Sequence, residues 1–224
     1  MDIHKPKAAH SWREFAVEIG TIIVGILIAL SLEQAVEWAH GQREVAETRE
    51  TLHSELARDL GVLEFIGLQD ACLDARVNLL EAWADGRAQL SPRGLTSMEN
   101  RPLMPVIRFT AWDVAKTGAV AAHMPVADRL CYADVYERLG TASAILQSER
   151  DAWRELGRFS GADRLDAEQA RRLKEDLGMI RSGEASRRFN MIDHEQHIRA
   201  LGVKPSLPKF PPGRTARDLC GPVK

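Results

Sequence analysis

Residues Phe15 to Leu32 read FAVEIGTIIVGILIALSL, the one segment of this chain apolar and long enough to approach a bilayer span. A hydrocarbon core of ~30 Å takes about 20 helical residues at ~1.5 Å each. The segment is slightly shorter than that and contains Glu18, but its flanks extend it. Trp12 and Trp38 bracket it, and aromatic side chains favour the membrane–water interface. In one helix the two would stand roughly 39 Å apart, close to a full bilayer with headgroups. The expectation is a tail at residues 1–14 and a transmembrane helix at 15–38. A buried helix of a soluble domain is the competing reading, but the rest of the chain has too little apolar surface to enclose one on all sides. A cleaved signal peptide is another, with Lys5, Lys7 and Arg13 as its basic region. Against it, Glu18 interrupts the start of the apolar run and Ala29-Leu30-Ser31 is a poor cleavage site.

Lys5, Lys7, Arg13 and the amino terminus precede the span, whereas only Arg43 and Arg49 follow it closely. Basic residues stay on the cytoplasmic side. The expected placement is the bacterial inner membrane, single-pass, with a cytoplasmic N-terminus and a periplasmic C-terminal domain. Within the span, Thr21, Gly25 and Ala29 recur every four residues, with Glu18 on the same face. Such a stripe of small residues lets two membrane helices approach closely. Glu18, Thr21, Gly25 and Ala29 are therefore the expected helix-association face of a homo-oligomer. Glu18 lies near the cytoplasmic edge, where its carboxylate can reach the headgroups.

A formal net charge of −2 gives no basic surface, so nucleic acid is not an expected partner. Apolar residues make up 45 %, enough for a core, while aromatics at 6 % are too sparse for a typical β-sandwich. Of three cysteines, Cys72 and Cys131 fall within helical apolar stripes, where a buried thiol is the usual role. The sequence leaves a Cys72–Cys131 bridge open. An odd count outside the cytoplasm leaves one thiol over.

Residues 39–51 are nearly all polar and read as a helical stalk. Leu52, Leu56, Leu60 and Leu63 open an apolar stripe that Leu73, Val77 and Leu80 continue. That helix should end between Trp83 and Gly86, and with the span it would make one very long rod. Residues 91–105 carry three prolines and form the clearest loop. A short extended piece at 106–109 would follow, and Thr110 with Asp113 looks like an N-cap with an acid three residues on. A helix over 126–159 would bury Cys131, Val135, Leu139, Ala142, Leu146, Trp153 and Leu156. Asp166 would cap the last helix, with a turn near Gly183 after which Phe189, Ile192 and Leu201 resume the pattern out of phase. Residues 52–203 form the expected domain, and 204–224 a Pro-rich extended tail. Several helices with one apolar face each bury those faces against one another. The expected fold is all-α: an N-terminal transmembrane helix continuing into an antiparallel helical bundle.

Tests for chemistry give little. His194-Glu195-Gln196-His197 lacks the spacing of a zinc protease motif, and two histidines do not make a metal site. Glu37/His40 and Glu50/His53 have the spacing used in di-iron bundles, but both lie on one polar stalk. Nucleophile elbows and nucleotide-binding glycine loops are absent from the sequence. No cofactor, metal or catalytic residue is expected. A ligand pocket, if the domain had one, would involve Trp112, Thr117 and His123.

The sequence from Glu18 through IGTIIVGILIALSLEQ resembles the opening of uncharacterised bacterial single-pass membrane proteins, with the Gly25–Leu30 core GILIAL. Trp112 with Thr117-Gly118-Ala119 is similar to a segment in their second part. The resemblance implies a membrane anchor with a helical domain, and supplies no activity or site residues. The leading expectation is a non-enzymatic scaffold or interaction protein of the cell envelope, with the lipid bilayer and an envelope protein as partners. The alternative is an extracytoplasmic ligand-sensing bundle acting through a partner, since the N-terminal tail is too short to fold as an output domain. A membrane-tethered enzyme would need buried ionisable side chains gathered in a cleft.

Overall fold

The computed structural model describes residues 12–90, 92 and 102–207. These residues form helices and connecting turns, with no strand among them. The helices are α1 (Trp12–Gly67), α2 (Asp70–Ala84), α3 (Thr110–Thr117), α4 (Val120–His123), α5 (Val126–Glu155) and α6 (Ala167–Ala200). A single 3-10 turn, Leu156–Phe159, ends α5. The chain divides into two units between Thr48 and Arg49.

In the first unit every described residue from Trp12 to His40 is exposed except Gly20, which is half-buried. The apolar window of this helix is wholly unburied, near the N-terminus, and long enough to cross a membrane. Two of its hydroxyls are turned inward on their own helix. Thr21 donates to the Val17 carbonyl at 2.9 Å and Ser31 to the Leu27 carbonyl at 2.6 Å. That geometry satisfies a hydroxyl without solvent, as an apolar environment requires. Further along, Gly41 and Val45 are buried, so residues 39–51 are not a wholly solvated stalk.

In the second unit the apolar stripe of α1 is completely buried at Leu52, Leu56, Leu60, Leu63 and Ile66. At about 2 kcal/mol for each fully buried aliphatic side chain, this row is a main part of the core. The helix does not run on to Trp83. It stops at Gly67 and restarts at Asp70, with fully buried Gln69 at the junction. The Gln69 side chain donates to the Leu103 carbonyl at 2.8 Å and accepts from the Leu103 N–H at 2.9 Å. A glutamine amide used on both sides in this way replaces a missing strand partner for an otherwise unpaired loop backbone. Helix α2 ends as expected, with Gly86 at φ +71°. The Gly86 N–H bonds the Trp83 carbonyl and the Arg87 N–H the Ala82 carbonyl, the paired bonds of a Schellman stop.

Helix α6 runs antiparallel to its neighbours. Its partners descend along α5, from Arg138–Asp193 through Glu149–Arg187 to Arg158–Asp176. They descend along α2 too, from Asp70–Arg187 through Glu81–Arg181 to Asp85–Lys174. Helices α1 and α5 instead run parallel, since Arg49–Asp128, His53–Tyr132 and Glu55–Tyr136 ascend together. The backbone between α2 and α3 explains this. Leu103 lies at Gln69, Arg108 at Asp59 and Ala111 at Glu55, so this segment travels back down α1 before α5 begins.

Several local expectations change. Asp166 caps α6 in a full capping box with Gln169, as its sequence suggests. Thr110 is not a cap: it is the first residue of α3, and no side chain of the preceding residue caps that helix. Gly183 makes no turn, because α6 is continuous and uses that glycine to pass close to Glu149. Cys131 is exposed rather than buried, because the inward stripe of α5 passes through Tyr132 and Tyr136. Cys72 is disulfide-bonded while Cys131 is free, so the bridge considered between them does not form. The third cysteine, Cys220, lies outside the described residues, as do residues 1–11 and 208–224 of the two tails.

Residues 204–207 are described and lie along α1, where the Ser206 N–H bonds the Ala57 carbonyl at 2.8 Å. A Cβ at Gly61 would fall well inside van der Waals distance of the Ser206 carbonyl oxygen. Gly61→Ala should therefore release this segment and destabilise the domain by roughly 1–3 kcal/mol. Thermal unfolding together with limited proteolysis near Ser206 reads this out, and unchanged stability with unchanged cleavage contradicts it.

Candidate functional site

Of the sequence-predicted association face, Glu18, Thr21, Gly25 and Ala29 all stand exposed on α1. A Cβ added at Gly25 would meet no atom within 4 Å, so none of the described residues uses the space that this glycine leaves open. The three residues suggested for a pocket are not gathered into one. Thr117 is exposed and bonds back to the Asp113 carbonyl at 2.9 Å, and His123 is exposed at the end of α4. Only Trp112 enters a cluster.

That cluster joins α1, α3 and α5. Trp112 stacks on Tyr136 with ring centroids 5.5 Å apart and planes 10° from parallel, and approaches Tyr132 at 6.3 Å. Rings at such separations attract beyond their buried area. Tyr132 and Tyr136 are one helical turn apart, which places both under the same indole. The Tyr132 hydroxyl meets His53 Nε2 at 2.9 Å. The Tyr136 hydroxyl donates to Glu55 Oε1 at 3.0 Å. The same carboxylate accepts the Ala111 N–H at 3.1 Å, which is the N-terminal turn of α3. An anion there satisfies an orphan donor and the positive end of the helix dipole. Glu55, nearly sixty residues away, is thus the group that starts α3, in place of Thr110. Burial pushes the hydroxyls of both tyrosines up from the ordinary range, with Glu55 adding to the effect at Tyr136.

Asp59, one turn beyond Glu55, is fully buried. Its Oδ1 takes Arg58 and, at 3.4 Å, the Arg108 N–H, while its Oδ2 accepts nothing. Burial pushes its carboxyl up to about 7, against the opposing pull of Arg58. A second polar layer lies where α2, α5 and α6 meet. Arg187 is buried, donating from Nε to Glu149 at 2.9 Å and from Nη2 to Asp70 at 2.6 Å. Arg188 donates to Asp70 at 3.1 Å and Asp74 at 2.9 Å. Glu184 and His194 are also buried on α6.

Of the His194–His197 quartet, His194 borders a narrow interior gap with Leu63, Ala142, Leu146 and Met191, too tight for water. Neither ring nitrogen has a hydrogen-bond partner, and burial lowers its pKa, so the ring is held neutral. His197 contacts the Asp193 carbonyl at 2.8 Å on the helix surface. No group of three or more His, Cys, Asp or Glu side chains suited to a metal ion occurs among the described residues.

Sequence reasoning missed Glu55, Asp59, Tyr132, Tyr136, Glu149, Glu184 and Arg187. A signal did exist: Leu173, Leu177, Ile180, Glu184, Arg187, His194 and Ile198 follow one spacing of three, four and seven along α6, and all are buried. The apolar pattern ends at Ile180, but the buried face does not.

The Asp59 geometry sets a pH dependence. Its folded pKa is raised above the unfolded value, so its stability contribution is complete below about pH 4 and lost as pH rises through about 7. Asp59→Asn should therefore stabilise the protein at about pH 8, by roughly 2–4 kcal/mol, and have little effect at about pH 4. Denaturant unfolding at both pH values checks this, and an equal effect at the two would refute it. Compared with known proteins, the chain matches no family model, no curated protein and no solved structure.

Proposed function

We propose that this chain is a membrane-anchored helical bundle that serves as a non-enzymatic scaffold or interaction protein of the bacterial cell envelope. One observation carries the reading: the most apolar stretch of the chain is exposed on all sides, on the same helix that supplies the buried Leu52–Ile66 row of the folded unit. An unburied window of this composition costs on the order of 25 cal/mol per Å² in water and nothing in lipid. The exposed indoles of Trp12 and Trp38 at its two ends suit the interfaces. The bacterial assignment rests on the resemblance of residues 18–34 to single-pass membrane proteins.

The orientation is N-terminus in the cytoplasm and C-terminal domain in the periplasm. Its support is the excess of Lys and Arg before the span and the disulfide at Cys72, since disulfides persist in oxidising compartments. The non-enzymatic reading is supported by the structural use of several polar side chains. Glu55 holds a helix start, Gln69 holds a loop and Arg187 ties three helices. Self-association runs through Thr21, Gly25 and Ala29, where a second span can approach.

Cys131 is free and exposed, and serves as a native topology probe. A membrane-impermeant maleimide applied to spheroplasts should label the wild-type protein, with the label lost in Cys131→Ser. Labelling only after the membrane is opened would reverse the topology. A soluble product trimmed at the N-terminus would remove the anchor. Gly25→Leu should weaken self-association of the span several-fold in a membrane reporter assay, and an unchanged signal would remove the association face.

A further inference from the structure

The layer between α2, α5 and α6 holds more negative charge than its cations neutralise. Glu149 faces it from α5, Asp70 and Asp74 from α2, and Glu184 from α6. Arg187 and Arg188 are the guanidiniums among them, and both are committed. Arg187 serves Glu149 and Asp70, and Arg188 serves Asp70 and Asp74. Arg181 also faces Glu184 but is paired with Glu81 at 2.7 Å and bonds Asn78. Even so, Glu149 Oε1 and Glu184 Oε1 are both buried and accept no hydrogen bond.

The backbone brings these two residues close together, and the charge of Glu149 acts on Glu184. Glu149 and Glu184 are 1 % and 2 % exposed. Gly183 lets α6 pass directly against Glu149, where an added Cβ would lie 3.4 Å from the Glu149 Cβ. The residue next to that contact is Glu184. Two orphaned carboxylate oxygens in a water-poor layer call for a donor, and no side chain provides it. Like-charged carboxyl groups in such a setting do not both ionise.

We propose that Glu149 and Glu184 together bind one proton, forming a proton-binding site whose occupancy holds the α5–α6 seam closed. Burial, with Glu149 and Asp74 nearby, pushes the Glu184 carboxyl up to about 7, and burial raises Glu149 as well. Because the folded pKa is raised, the stabilising effect is complete below the ordinary carboxyl range and disappears as pH rises through about 7. The inference is independent of which side of the membrane the domain occupies.

Full-length protein in nanodiscs tests it by infrared difference spectroscopy between about pH 5 and pH 9. Beside any band from Asp59, which Asp59→Asn removes, a second carbonyl band of a protonated carboxyl should titrate near neutrality, persist in Asp59→Asn and vanish in Glu184→Gln. Glu149→Gln should lower the midpoint of that band by about one pH unit or more, because the neighbouring charge is gone. Amide exchange of α6 around Gly183, corrected for intrinsic pH dependence, should quicken several-fold above neutrality in the wild type and lose that pH dependence in Glu184→Gln. If no band that persists in Asp59→Asn is lost in Glu184→Gln, or if its midpoint is unmoved by Glu149→Gln, the proposal is overturned. Exchange at α6 that ignores pH in the wild type also overturns it.

Discussion

Helix α1 carries two incompatible surfaces in one continuous element, and the change between them constrains the rest of the structure. From Trp12 to His40 its side chains are exposed nearly all round, and from Leu52 to Ile66 one face is completely buried. A helix apolar on every side demands a surrounding apolar medium, whereas a one-sided stripe demands only a neighbour. The second demand is met by α5 and α6 and by the backbone of 102–111 returning along α1. The first is not met by any described part of the protein, and a bilayer meets it in the reading proposed above.

The return of that segment also sets the direction of α5. Because the backbone descends from Gln69 past Asp59 to Glu55, α5 starts beside α1 near Arg49 and rises parallel to it. Only α6 then opposes both. The loop's own backbone is held by side chains rather than by a sheet: Gln69 at Leu103, Arg150 at the Met104 carbonyl and Glu55 at Ala111. Polar residues in the middle of long helices thus do the work that short connecting elements would otherwise do. Their burial has an electrostatic cost, visible in the raised carboxyl pKa values of Asp59 and Glu184.

Much of the helical layout was legible from spacing alone. The rows Leu52–Leu63 and Leu73–Leu80, the stop of α2 at Gly86 and the cap at Asp166 all follow from periodicity and local hydrogen-bond chemistry, while most of the loop expected at 91–105 lies outside the described residues. What spacing does not reveal is which neighbour a face meets. An antiparallel order is the simplest guess for helices joined by short turns, and it fails for α1 and α5 because their connection is long. Gly183 looked like a turn because Phe189 and Ile192 fell out of phase, but those two are exposed and the buried face runs on through Glu184, Arg187 and His194. A hydrophobic pattern misses a face whose residues are charged. The Thr110 cap failed for a related reason, since a distant glutamate reached the same helix start. Trp112 enters a ring cluster, but its ring partners lie twenty or more residues on, beyond the reach of local pattern.

The most direct test of the account is solvent accessibility along α1 in the full chain within its native membrane. Single cysteines placed from position 13 to position 50 in a Cys131→Ser background would be treated with a water-soluble maleimide. The account predicts a continuous block of protection across the region bracketed by Trp12 and Trp38, with reactivity returning at exposed positions such as Gln42 and Arg43. Reactivity spread evenly through residues 15–32, or recurring with helical period there, would mean that this helix lies in water or against another protein surface, and the anchored reading would fail.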